Sequence, residues 1–119
     1  MSNALMGGHP VDLKDSRTGR GTGTSTNAYV GSIIRIPFQY YKTLAIIIEE
    51  TGGANAINYE ITGAILDSDQ VTLVTNQVVA ASGAEYETLT DAFDFVYVFI
   101  KSNVGGSHGD YKVTWCAKR

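Results

Sequence analysis

The chain is poor in the residues that brace a fold covalently or carry out chemistry. Among 119 residues there is one cysteine, Cys116, so no intrachain disulfide can form. Such sparing use of cysteine fits synthesis in a reducing compartment. The only imidazoles are His9 and His108. No apolar run is long enough to span a bilayer as a helix. The first ten residues lack the basic and apolar stretches of a secretory signal. Basic residues are missing from the whole middle of the chain. From Thr43 to Ile100 there are nine acids and no lysine or arginine. This excludes the body as a nucleic-acid partner, because phosphate would be repelled.

The nine basic residues lie in the flanks: Lys14, Arg17, Arg20, Arg35 and Lys42 before, Lys101, Lys112, Lys118 and Arg119 after. Two readings of that division stay open. A basic arm could lie on the acidic face of a neighbouring copy, or the charges could serve solubility alone.

No catalytic, cofactor or metal site is expected. Ser107, His108 and Asp110 are triad residue types, but neighbours in a turn do not make a buried, oriented nucleophile and base. Cys116 and the histidines lack ligand spacing for zinc, and Cys116 is expected as a buried structural thiol. Asp67-Ser-Asp69 could offer oxygen ligands, yet these are ordinary turn formers. Nothing selects two of the acids for glycoside hydrolysis.

What the sequence does contain is β structure. Glycine is frequent, at 13 residues, and much of it separates apolar runs. The strongest run is Asp91-Ala-Phe-Asp-Phe-Val-Tyr-Val-Phe-Ile-Lys101, apolar on both faces and so expected as a central strand over 93–102. If Val96, Val98 and Ile100 face the core, Phe95, Tyr97 and Phe99 face the other way. Other strands are predicted at 32–38, with Pro37 confined to an edge or exit, at 43–51, 56–66, 71–75, 78–81, 85–90 and 111–117. A helix over 78–88 is the competing reading, opposed by Gly83. Ile57, Tyr59 and Ile61 alternate with Asn58, Glu60 and Thr62, which predicts one solvated face. Gly63 suggests a bulge or bend. The strands of 93–102 and 111–117 are expected to pair antiparallel through the Gly-rich loop between them.

Seven or eight short strands at roughly 8–12-residue spacing predict an all-β, antiparallel β-sandwich of jelly-roll type. Residues 1–28 read as a flexible or extended N-terminal arm, polar and rich in Gly and Thr. Residues 29–119 form the sandwich domain. The arm's glycines have neither the strand nor the Gly-Lys-Ser/Thr context of a nucleotide loop.

Aromatic residues exceed what so small a core can bury. The surplus predicts an interface or, alternatively, a sugar-stacking platform; a thick core with scattered surface tyrosines is the plain alternative. The candidate contact residues are Arg17 and Arg20 on the arm, Tyr40 and Tyr41 at a corner, and Phe95, Tyr97, Phe99 and Trp115 on strands.

Leu44–Glu50 followed by Thr51-Gly-Gly-Ala-Asn-Ala-Ile57, then Ile61-Thr-Gly, then Thr90-Asp-Ala-Phe-Asp-Phe-Val-Tyr-Val-Phe-Ile-Lys-Ser-Asn-Val104 and a Gly-rich turn, resembles small β-sandwich proteins of tailed phages and prophages. The likeness spans roughly residues 40–115. It implies a non-enzymatic virion component of the capsid-decoration, minor capsid or tail-associated kind, made in the host cytoplasm and carried in the virion. It also implies a homo-oligomer, with a trimer favoured, that contacts other virion proteins such as a major capsid protein and no membrane. The competing function is a carbohydrate-binding or adhesion module.

Overall fold

The computed structural model describes residues 15–119, so residues 1–14, the first half of the predicted arm, lie outside the described residues. Eight strands follow in order: β1 (Ser16–Thr24), β2 (Ile33–Pro37), β3 (Thr43–Glu50), β4 (Ile57–Ala64), β5 (Val71–Val79), β6 (Ala84–Leu89), β7 (Phe95–Ser102) and β8 (Asp110–Lys118). One 3-10 turn, Tyr29–Gly31, joins β1 to β2. The runs of Ile, Val and aromatic residues take the extended state because branched side chains fit the pleat better than a helical turn.

The strands form two antiparallel sheets of four, β1-β8-β3-β6 (sheet A) and β2-β7-β4-β5 (sheet B). The pairing is nested. First pairs with last, second with seventh, third with sixth and fourth with fifth. The chain is thus one long hairpin ribbon, tipped at the β4–β5 turn and rolled so that its two edges meet. That is the jelly-roll sandwich expected from the sequence.

The core lies between the sheets. Leu44, Ile46 and Ile48 of β3 and Val113 and Ala117 of β8 meet Ile57 and Ile61 of β4 and Val96, Val98 and Ile100 of β7, all fully buried. Each Val, Leu or Ile among them contributes about 1.5–3 kcal/mol by leaving water. Strand β7 is internal to its sheet, between β2 and β4. Pro37 ends β2, an edge strand, where no further ladder bond is needed.

Several expectations are corrected. Strands β7 and β8 do not pair; β7 belongs to sheet B and β8 to sheet A. The intervening loop crosses the roughly 10 Å between sheets instead of closing a hairpin. The segment 78–88 is not helical; it holds the end of β5, a turn and most of β6. The face of Asn58, Glu60 and Thr62 is not open to solvent, since Asn58 and Thr62 are buried. Gly63 is needed for room: a Cβ there would fall 2.7 Å from the Phe93 ring. The bulge lies instead in the β4–β5 ladder, where the register shifts between Tyr59 and Thr62. Across from it, Asn76 has φ 37°, and consecutive Leu73 and Val74 both pack on the core. Cys116 is half-exposed, because its neighbour Trp115 faces inward.

Candidate functional site

Alternation along β7 builds the first surface. With Val96, Val98 and Ile100 inside, Phe95, Tyr97 and Phe99 stand half-buried on the outer face of sheet B. Cross-strand pairing sets them beside Pro37, Arg35 and Ile33 of β2 and Ala64, Thr62 and Glu60 of β4. Tyr97 and Phe99 stack with ring centroids 6.4 Å apart and planes 29° off parallel. The Arg35 guanidinium sits 3.8 Å from the Phe95 centroid. The Lys101 ammonium sits 4.7 Å from the ring of Tyr29. Both are cation–π contacts.

Tyr29 comes from the 3-10 turn and straps this face at one end. Its hydroxyl donates to Asn76 Oδ1 at 2.6 Å, and Asn58 Nδ2 donates to the same oxygen at 3.1 Å. Partial burial, and secondarily the nearby Glu60 carboxylate, push the Tyr29 phenol up to about 12.

The remaining candidates lie elsewhere. Arg17 and Arg20 are exposed on β1, at the edge of sheet A. Ser16–Thr24, placed by its composition in a flexible or extended arm, pairs along nine residues with β8 of its own chain as a strand of sheet A. Tyr40 is exposed at the corner with φ 75°, and Tyr41 packs on the core. Trp115 is not a surface residue. It is only 8% exposed and shares the inward face of β8 with Tyr111, Val113 and Ala117. Two glycines of β1 make space for these rings: a Cβ on Gly19 would fall 2.4 Å from the indole, and one on Gly23 would fall 2.5 Å from the Tyr111 hydroxyl. The structure therefore gathers Phe95, Tyr97 and Phe99 into one surface and leaves the other candidates outside it.

Sequence reasoning missed Tyr29, Arg35 and Lys101, which cover the aromatic row. It also missed an apolar patch on the outer face of sheet A, where Ile47 and Tyr86 are cross-strand partners, 44% and 75% exposed. The alternation of Leu44, Ala45, Ile46, Ile47 and Ile48 hides that face, because both sides of β3 are apolar.

At one end of the sandwich polar groups tie the loops together. Glu50 is 2% exposed and accepts hydrogen bonds from the amides of Gly52, Gly53, Ser82 and Asp110 at 2.8–3.0 Å. Burial alone would raise this carboxyl; the four amides outweigh it and hold the group below its ordinary value. Nearby, Ser102 Oγ lies 2.7 Å from His108 Nδ1 and 2.8 Å from Ser25 Oγ, which accepts from the Gly109 amide. Ser102 is a hydroxyl beside an imidazole, but it is 4% exposed, and no carboxylate bonds to the His108 ring among the described residues. The arrangement suits closure of the 103–109 loop better than attack on a substrate. No cluster of three or more His, Cys, Asp or Glu that could hold a metal occurs among the described residues.

No protein-family model matches the chain, and neither does any curated protein. Solved structures do share its shape. The crystal structure of the SPBc2 prophage-derived protein YomS is similar over 92% of this chain and 100% of that one, with TM-score 0.56 at 12% identity. The Yersinia pseudotuberculosis-derived mitogen is similar over 87% of this chain and 86% of its own, with TM-score 0.52 at 9% identity. PirA is similar over 87% and 95%, with TM-score 0.50 at 15% identity. At these identities the likeness shows the fold, which unrelated functions share.

Proposed function

We propose that this chain is a non-enzymatic structural subunit of a phage virion, of the capsid-decoration, minor capsid or tail-associated kind. In this reading it assembles with copies of itself, as a trimer or larger, and with other virion proteins such as a major capsid protein. The N-terminal region and the aromatic face of sheet B supply the contacts.

The observation that carries the reading is the row Phe95, Tyr97 and Phe99 on an outer sheet face. Rows of half-buried aromatics with arginine are the composition of protein interfaces. Sugar stacking needs an open ring face, and Arg35 already occupies one face of Phe95, which favours a protein neighbour over a glycan. The fold likeness to a prophage-derived protein, spanning all of that chain, supports the virion setting. Jelly rolls serve in both capsids and lectins, so the fold alone does not choose between them.

The test is Tyr97→Glu, followed by light scattering on the eluted protein and by circular dichroism. Assembly lost with the fold intact supports the reading. An unchanged mass counts against it, as does a monomeric wild type that binds glycans through Tyr97.

A further inference from the structure

Among the described residues each sheet ends in two edges with no further strand beside them, and the two sheets treat them differently. In sheet B, β2 is five residues long and ends on Pro37, and β5 is bent by a register shift. Both devices keep an edge from pairing with another chain. Sheet A has neither device. Strand β1 runs nine residues in unbroken register with β8, and β6 runs six residues in unbroken register with β3. Neither strand contains proline.

The two open edges carry opposite charge. Strand β1 holds Arg17 and Arg20, both exposed, and no acid; β6 holds Glu85 and Glu87 and no base. Glu87 accepts the Tyr59 hydroxyl. Arg17, Arg20 and Glu85 form no ion pair among the described residues. Beside β6 lies a groove of about 340 Å3 lined by Ala45, Ile47, Ala84, Glu85 and Tyr86. Direction agrees as well. Strand β1 is antiparallel to β8, β8 to β3, and β3 to β6, so β1 runs opposite to β6. A second copy that continues the sheet presents its β1 antiparallel to that edge.

We infer that β6 of one copy pairs antiparallel with β1 of the next, extending sheet A from subunit to subunit. Arg17, on the same inward parity as Glu85, then approaches it, while Arg20 stands on the outward face, beside the Tyr86 groove that the arriving edge covers. The contact is head-to-tail, so it closes into a ring or runs on as a fibre. The inference rests on the assembling-subunit reading for its partner, a second copy, and adds which edges meet.

The test uses the full chain, light scattering and two charge-reversed variants. Glu85→Arg alone, and Arg17→Glu with Arg20→Glu, each fall to the 12.8 kDa monomer with an unchanged circular-dichroism spectrum. Mixed in equal amounts they recover the wild-type mass, because each then meets an edge of opposite sign. Wild-type assembly also weakens with salt. If a reversal prevents folding, Glu85→Gln weakens association at least tenfold instead. Folded reversal variants that keep the wild-type mass, or a mixture that stays monomeric, overturn the inference. If those variants stay assembled while Tyr97→Glu dissociates, the edge pairing falls and the sheet-face reading stands. A wild type that is monomeric at high concentration overturns both.

Discussion

At the scale of single residues, the most consequential side chain is Glu50. In the sequence it is one of a run of acids. Its place on the inward parity of β3, after Leu44, Ile46 and Ile48, carries it inside, where four amides from three segments converge on it. Glu50→Ala leaves those amides without their acceptor and should cost about 2 kcal/mol or more, measured by denaturant unfolding. The pH dependence follows from its lowered value. The stabilisation is complete above the unfolded carboxyl pKa of about 4.3 and is lost as pH falls through the folded value. Glu50→Gln should flatten that acid limb. Gly19 is the second case. A Cβ there meets the indole of Trp115, so Gly19→Val should cost about 1–3 kcal/mol by overpacking and disturb the tryptophan fluorescence.

At the scale of elements, what could be read from the sequence depended on whether alternation carried a hydrophobic signal. Strands β4 and β8 show it directly. Strand β7 is apolar on both sides, so its sequence separates Phe95, Tyr97 and Phe99 from Val96, Val98 and Ile100 but leaves open which set faces inward; only the opposing sheet decides it. Strand β1 alternates too, but its inward residues are Gly19, Gly21 and Gly23. Their missing side chains make room for Trp115, Ile34 and Tyr111 respectively, so the signal is invisible until those partners are placed. The same reason sent Trp115 to the surface list: nothing local says that glycines lie over it. Which strands pair is non-local as well, so the Gly-rich loop after β7 read as a hairpin although it joins two sheets. The covering of the aromatic row depends on the 3-10 turn and the β2 register, which no local pattern specifies. Tyr29→Phe tests that strap. It removes the bond to Asn76 Oδ1 and should cost about 1 kcal/mol, with loss of a phenol titration near 12. With the folded value raised, the stability tied to this group is full below about 10 and is lost as pH rises through about 12.

At the scale of the whole molecule, charge is divided by position in the chain and again by position in the fold. The basic flanks become β1 on one edge of sheet A, and Arg35 and Lys101 over rings of sheet B. Lys112 pairs with Glu49 at 3.5 Å across β8 and β3, a half-exposed contact contributing under about 1 kcal/mol. The proposed edge pairing would bring the opposite charges of β1 and β6 together from subunit to subunit.

The nested pairing also bears on time. The β4–β5 tip joins near neighbours in sequence, whereas β1 meets β8 only after nearly the whole chain has been laid down. Loop-closure entropy grows with that separation, and pairings this distant slow folding. The ribbon is therefore expected to zip from its tip towards its base, with β1 the last strand to close and the first to open. Amide exchange should be fastest along Ser16–Thr24 in the isolated subunit. It should slow there if a neighbour seals that edge, so assembly would then complete a closure that is the last to form in the single chain.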